Sequence, residues 1–330
     1  MNHFGKLFSV SIFGESHGES VGVVIDGCPA GMPLAVEDFI HDTERRKGGT
    51  QKGTTPRQEE DLPLFKSGVF NGKTTGAPLT LLFENKNTRS GDYEKQRAVP
   101  RPGHADFVAN KKFGGFEDYR GGGHFSGRLT LCLVAVGVVA KKVLKNISIN
   151  AKVISIAGET DLERGLQKGI DAKDSVGGIV ECVVKGIPLG LGEPFFDSAE
   201  SLLSHAVFSI PAVRGIEFGT GFAAANMFGS AHNDAIIESD GKTGTNHAGG
   251  IVGGITNSND LIFRIAIKPT SSTPQEQQTL NWETNQVESF SVRGRHDLCI
   301  ALRVPPVLEA VTAMVLVDLM LREQMIKRMF

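Results

Sequence analysis

The chain has 330 residues, 40 of them glycine, and a formal net charge of −2. That balance gives it no overall basic character to draw it to nucleic acid or a membrane surface, so its positive charge must act locally. No stretch approaches the ~18 uninterrupted apolar residues of a membrane span, and no low-complexity linker divides the sequence. One compact enzyme-like unit over residues 1–330 is expected.

The N-terminal MNHFGKLFSVSIFGESH offers only a short alternating apolar run, which predicts a strand over 6–13 and no secretory signal. Strand-like alternation recurs at 21–27, 78–83, 151–158, 178–186 and 260–268, punctuated by glycines. Leu129 to Leu144 is apolar almost all round, and Val307 to Leu321 is nearly so. A helix apolar on every side must be covered on every side, so the chain is predicted to be α+β with apolar helices packed between sheets. Cys28, Cys132, Cys182 and Cys299 lie far apart among mostly aliphatic neighbours, without C-x-x-C pairing. They predict buried thiols in a reducing cytoplasm, and neither disulfides nor a metal site.

Three short motifs fit familiar patterns and fail on context. Residues 14–18, GESHG, match the nucleophile elbow of serine hydrolases, but a β-branched, strand-like segment follows where a helix is required. Residues 219–224, GTGFAA, match a dinucleotide fingerprint, with Glu238 near where a ribose-binding acid belongs. The helix that would follow meets Gly229 after about two turns, so a tight strand connection is the better reading. Residues 68–74, GVFNGKT, hold one residue too few between their glycines for a P-loop and predict a hairpin turn.

The polar loops carry more. Five of the nine histidines, His17, His104, His124, His247 and His296, sit in short polar loops beside a glycine or within a residue of one. Imidazole titrates near neutrality and glycine lets a loop backbone approach a ligand, so the set reads as one site assembled from distant segments. Thr43 to Arg57, TERRKGGTQKGTTPR, has no apolar residue to hold it against a core, and its composition alone predicts a solvated surface loop. A second basic run, from Arg101 to Arg128, shifts that balance with three arginines, two histidines and seven glycines. Guanidinium forks and glycine amides together bind phosphate and carboxylate, which points to a small polyanionic ligand.

FGESHGESVGVVIDGCPAG, TTPR, RPGHAD, RGGG-x-x-S-x-R, NHAGGIVGG, KPTSS and RGRHD followed by an apolar helix stand in the order found in chorismate synthases. The chain resembles that family from Phe13 to its C-terminal helix. The resemblance implies a β-α-β sandwich with antiparallel sheets, a homotetramer, and a flavin-dependent lyase that converts 5-enolpyruvylshikimate 3-phosphate into chorismate and phosphate by 1,4-anti elimination. It implies reduced FMN as cofactor, with NADPH or an external flavin reductase as the source of its electrons.

The resemblance also implies roles. His17 would protonate the departing phosphate, His104 would stand by the reduced flavin, and Ser16, Ser126 and Asp297 would form a relay near the flavin. Arg45, Arg101, Arg128 and Arg295 would hold substrate charges. Flavin contacts fall on His124, Phe125, Ser126, Pro211, Ala212, Gly253, Lys268, Pro269, Thr270, Ser271, Ser272 and Arg295, and NADP contacts on Arg46 and Lys52. His124 and Phe125 replace the family's commoner arginine and small residue, and Lys52 replaces an arginine with loss of bidentate geometry. Two other classes stay open at this level: an NAD(P)-binding oxidoreductase built on the Gly219 loop, and a polyanion- or nucleic-acid-binding module built on Arg45 to Arg57.

Overall fold

The computed structural model describes residues 1–49, 52–55, 59–87, 97–292 and 296–327. The N-terminal part forms a five-stranded antiparallel sheet from β1 (His3–Phe4), β2 (Ser9–Gly14), β3 (Ser20–Asp26), β4 (Leu64–Ser67) and β5 (Leu79–Glu84), in the order β1-β2-β3-β5-β4. Strand alternation sends Val21, Val23 and Ile25 to one face, where they pair in register with Phe83, Leu81 and Leu79, all fully buried or nearly so. A second antiparallel sheet, β6 (Ser148–Ile156), β7 (Gly178–Lys185), β8 (Val213–Phe218) and β9 (Leu261–Ile267), runs in the order β8-β9-β7-β6. Its inward face carries Leu261, Phe263 and Ile265 opposite Val184, Cys182 and Val180.

Helices fill the space between. Their spans are α1 (Glu37–Arg46), α2 (Asp106–Phe113), α3 (Thr130–Val143), α4 (Leu162–Ala172), α5 (Ala199–Val207) and α6 (Pro305–Arg322). α3 packs on β3 and on α6, and α6 packs in turn on β6 and β7, so the layers read sheet, helices, sheet. This is the arrangement that the two all-round apolar segments predict: α3 is buried at every position from Thr130 to Ala140, and α6 from Pro305 to Leu319. Contact between the two is close because Gly137 has no side chain; a Cβ there would lie 2.3 Å from that of Ala310.

Few polar groups enter this core, and each is paired. Glu309 of α6 accepts from Arg45 of α1 at 2.7 and 2.8 Å, from Lys141 of α3 at 2.7 Å and from the Ala151 amide of β6 at 3.0 Å. Burial pushes its carboxyl up, and Arg45 and Lys141 overcome that and hold it below its ordinary value. Asp318 accepts the amides of Lys6, Leu7 and Phe8 at 2.7–3.0 Å. That turn, entered through Gly5 at φ +93°, is why the strand predicted from residue 6 begins at Ser9.

The four cysteines are buried free thiols, as expected, and burial pushes Cys28 up to about 11 and Cys132 and Cys182 up to about 12. The GESHG segment joins β2 to β3 as strand, turn and strand, with Ser16 buried, which removes the nucleophile-elbow reading. Val69–Phe70 pairs with Lys73–Thr74 in the predicted hairpin. After β8 the chain makes a 3₁₀ turn, Gly221–Asn226, so the Gly219 fingerprint lacks the helix whose N-terminus would bind a pyrophosphate. Among the described residues no helix is long and apolar enough to cross a membrane.

Candidate active site

A cavity of about 730 Å³ opens where the edge of the first sheet, the end of α1, the start of α3 and three loops meet. Phe4, Val10, Ile12, Leu129, Leu133 and Met314 make one side apolar. The rest carries Arg46, Lys47, Arg101, Arg128, Arg214, Lys268 and Arg303 against only Glu59, Asp61 and Asp297. This volume and mixture suit an organic anion with a sizeable apolar body.

The loop from Arg120 to Ser126 organises the site. Gly121, Gly122 and Gly123 all have positive φ, and a Cβ at Gly121 would lie 2.4 Å from Cδ2 of His17 and 3.0 Å from Oγ of Ser16. At Gly122 a Cβ would meet His104 at 3.3 Å. The triple glycine therefore brings one backbone ribbon against both candidate histidines, a path that side chains would block. The Ser16 amide donates to the Gly123 carbonyl at 3.1 Å, and His124 Nδ1 donates to the Gly14 carbonyl at 2.8 Å, which closes this loop on the GESHG turn. His124 thus spends one nitrogen on structure, while half-exposed Phe125 leans on Phe113 of α2.

His104 sits in the RPGHAD turn. Its Nδ1 is 2.5 Å from Asp106 Oδ1 and 3.1 Å from Nη2 of Arg101, and Arg101 grips the same carboxylate through Nε and Nη2 at 2.8 Å each. Arg101 Nη1 donates onward to Ser272 at 3.1 Å. Lys268 donates to the Gly103 carbonyl at 2.9 Å and to Ser271 at 2.6 Å, so KPTSS and RPGHAD form one polar wall. Burial and nearby Arg214 lower the Lys268 pKa.

Opposite lies an arginine cluster. Asp61 bridges Arg46, at 2.9 Å, and Arg128. Burial pushes Asp61 up, and the two guanidiniums overcome that and hold it below its ordinary value. Arg46 is 3 % exposed, its Nε meets no partner, and burial lowers its pKa to about 10 despite Asp61. A buried cation with an unspent donor beside a cavity is a receptor for an anion. Arg303 donates to Asp297 at 2.9 Å and to the Arg46 carbonyl at 2.8 Å, and Asp297 also accepts the Thr55 amide at 2.8 Å. The solvated loop that composition predicts over 43–57 is thus corrected where described: Thr43, Arg46 and Thr55 are buried, because buried ion pairs replace the missing apolar anchors.

Sixteen of the expected residues line this one cavity: Ser16, Arg46, Arg101, His104, His124, Phe125, Ser126, Arg128, Pro211, Ala212, Lys268, Pro269, Thr270, Ser271, Ser272 and Asp297. His17 lies directly behind Gly121, 8 % exposed. Three expected residues stand elsewhere in the chain. Arg45 points into a separate surface hollow, spent on Glu309 and Asp42, because consecutive helical residues diverge by ~100° and only its neighbour Arg46 faces the site. Lys52 donates to Gln167 at 3.4 Å, and Gly253 turns between Ile251–Val252 and Ile255–Thr256 away from the cavity. Arg295 lies outside the described residues.

A family model for chorismate synthase matches residues 8–321. The chain belongs to the chorismate synthase family. It is 70% identical to a chorismate synthase of Chitinophaga pinensis over 331 residues, spanning 100% of this chain and 99% of that one. A relative from Methanocaldococcus jannaschii, also a chorismate synthase, is 41% identical over 98% of this chain and 97% of its own length. A crystal structure of a chorismate synthase matches the fold with a TM-score of 0.72 at 26% identity, over 97% of this chain and 93% of that one. As a member, this chain is a carbon–oxygen lyase that forms chorismate in the shikimate pathway.

Within this chorismate synthase fold, motif reading misses Asp61, Arg214, Arg303 and Asp106. Asp61, in EEDLPLF, carries no local signal, since its importance comes only from two arginines distant in sequence. Asp106 had one: it stands two residues after His104 in a turn, within reach of the ring.

Proposed function

We propose that this protein carries out the 1,4-anti elimination of phosphate from 5-enolpyruvylshikimate 3-phosphate with reduced FMN in its cavity, in the cytoplasm and as a homotetramer. What carries this reading is one cavity that gathers an apolar wall, an arginine cluster and His104, with His17 packed directly behind its Gly121. The cavity fits a flavin on its own features: the apolar side suits a fused ring system, and the buried, unpartnered Arg46 Nε and Thr270 Oγ1 offer polar contacts. His124, Phe125, Ser126, Pro211, Ala212 and Lys268 to Ser272 would hold it, joined by Arg295, and by Gly253 from wherever the assembly brings that turn. When bound, reduced FMN lends electron density that eases breakage of the C–O bond.

The protein's own groups do the rest. Arg46, Arg101 and Arg128 face the phosphate and two carboxylates of the substrate, with Arg303 fixing Asp297. Arg45, assigned to substrate by the family resemblance, is replaced in this role by Arg46. His17, behind Gly121, gives a proton to the departing phosphate, and His104 holds a proton beside Gly122. Ser16, Ser126 and Asp297 carry the ring hydrogen away. We place reduction of the flavin outside the site, in an external reductase, since Arg46 is shared with Asp61 and Lys52 stands off the cavity.

Phosphate release under anaerobic conditions tests the assignment. His17→Ala and His104→Ala should each lower kcat by roughly 10²- to 10⁴-fold, the range of a lost proton-transfer group. Full activity in both variants rules out these roles.

A further inference from the structure

His104 has two polar neighbours competing for one ring nitrogen. Nδ1 can point its single in-plane position at only one, and Asp106 Oδ1 lies 2.5 Å away against 3.1 Å for Arg101 Nη2. Were Nδ1 unprotonated, it could accept from Arg101, but its lone pair would then face a carboxylate oxygen at hydrogen-bond distance. With Nδ1 protonated, the N–H donates to Asp106 and Arg101 loses nothing. Its Nε and Nη2 already donate to Asp106 at 2.8 Å, and its Nη1 donates to Ser272 at 3.1 Å.

We infer that Asp106 is a positioning residue that accepts the Nδ1 proton of His104 and so fixes the tautomer, leaving Nε2 as the only ring nitrogen that can exchange a proton with a ligand. Nε2 lies on the Gly122 side of the ring, where the absent side chain leaves room. The Asp106 carboxylate cannot turn away, because the Arg101 amide donates to it as well, at 3.1 Å. Burial pushes its carboxyl up, and Arg101 and His104 overcome that and hold it well below the usual range, so it remains an acceptor throughout.

The catalytic half of this inference rests on the lyase reading; the tautomer does not. Protein labelled with ¹⁵N-histidine, free of ligand, is examined by long-range ¹⁵N–¹H correlation, with His104 identified by the signals lost in His104→Gln. The expected result is that Nδ1 keeps its proton from neutral to alkaline pH while Nε2 is the nitrogen that loses one. An unprotonated Nδ1 overturns the inference, and does so in the wild-type protein whatever the variants do. In Asp106→Asn, Arg101 Nη2 becomes the donor to Nδ1 and the tautomer should switch to Nε2–H; kcat should fall roughly 10²-fold with KM little changed. Asp106→Glu, which restores a carboxylate, should recover part of kcat. A role confined to holding Arg101 would raise KM and leave the tautomer in place, and that result also overturns the inference. Absence of phosphate release by the wild-type protein under reducing conditions would remove the lyase reading without touching the tautomer.

Discussion

At the residue scale, the site is built less by the groups that react than by the positions that make room for them. Gly121 holds φ +60° with an imidazole where its Cβ would go. Gly121→Ala should therefore displace His17, cost about 1–3 kcal/mol in backbone strain, and abolish most phosphate release. Thermal melting and the phosphate assay check both halves; a variant with wild-type stability and rate would show that the ribbon does not set the histidine. Which side chains carry charge to the ligand was only partly legible in sequence. RPGHAD stood out by composition and KPTSS only through the family resemblance, and both line the cavity. Arg45 and Arg46 are indistinguishable in the string ERR, and only the helical turn between them decides which faces the site. Asp61 and Arg303 carry no motif at all, because their partners are brought to them by the fold.

At the scale of elements, α3 and α6 were the most readable features, since a segment apolar on every face has few places to go. Their boundaries shift by only a residue or two from the expected ones. What the pattern could not show is how near they pass. Gly137 lets the α3 backbone approach Ala310, and a Cβ there would lie 2.5 Å from the Ala310 Cα. Alanine is the better helix former by about 1 kcal/mol, yet overpacking at this contact should outweigh that gain. Gly137→Ala is expected to lower the melting temperature, and adding Ala310→Gly should restore part of the loss. A single variant as stable as wild type would contradict the close contact. The Gly219 fingerprint fails for a complementary reason: glycines at that spacing occur in any tight turn, and only a following helix would give them a phosphate to hold.

At the scale of the whole molecule, four part-buried or buried carboxylates, Asp42, Asp61, Asp106 and Glu309, each titrate below their ordinary values in the folded state. Burial opposes their ionisation and basic partners outweigh it. A depressed folded pKa means the unfolded chain binds protons first, so the stability these groups contribute is complete above the ordinary carboxylate pKa of about 4 and is lost as pH falls through the folded values. Melting temperature should change little between about pH 7 and 5 and fall steeply below about pH 4; an unchanged melting temperature at pH 3 would mean these pairs are not holding the core. Another global property, assembly, was expected only through the family resemblance. Phe195, Phe196, Phe222, Phe228 and Ile236 are each more than two-thirds exposed in the single chain, and covering such apolar side chains would favour association. Light scattering should give a tetramer, and a monomer at micromolar concentration would contradict that reading.

A flavin-dependent elimination in this cavity would proceed with no net redox change. The direct measurement is an anaerobic assay of purified protein with 5-enolpyruvylshikimate 3-phosphate, with and without reduced FMN, following phosphate and chorismate together. Equal amounts of both products are expected, formed only with reduced flavin and over many turnovers for each flavin supplied. Phosphate release in air without flavin, or consumption of one reduced flavin per product, would contradict that reading.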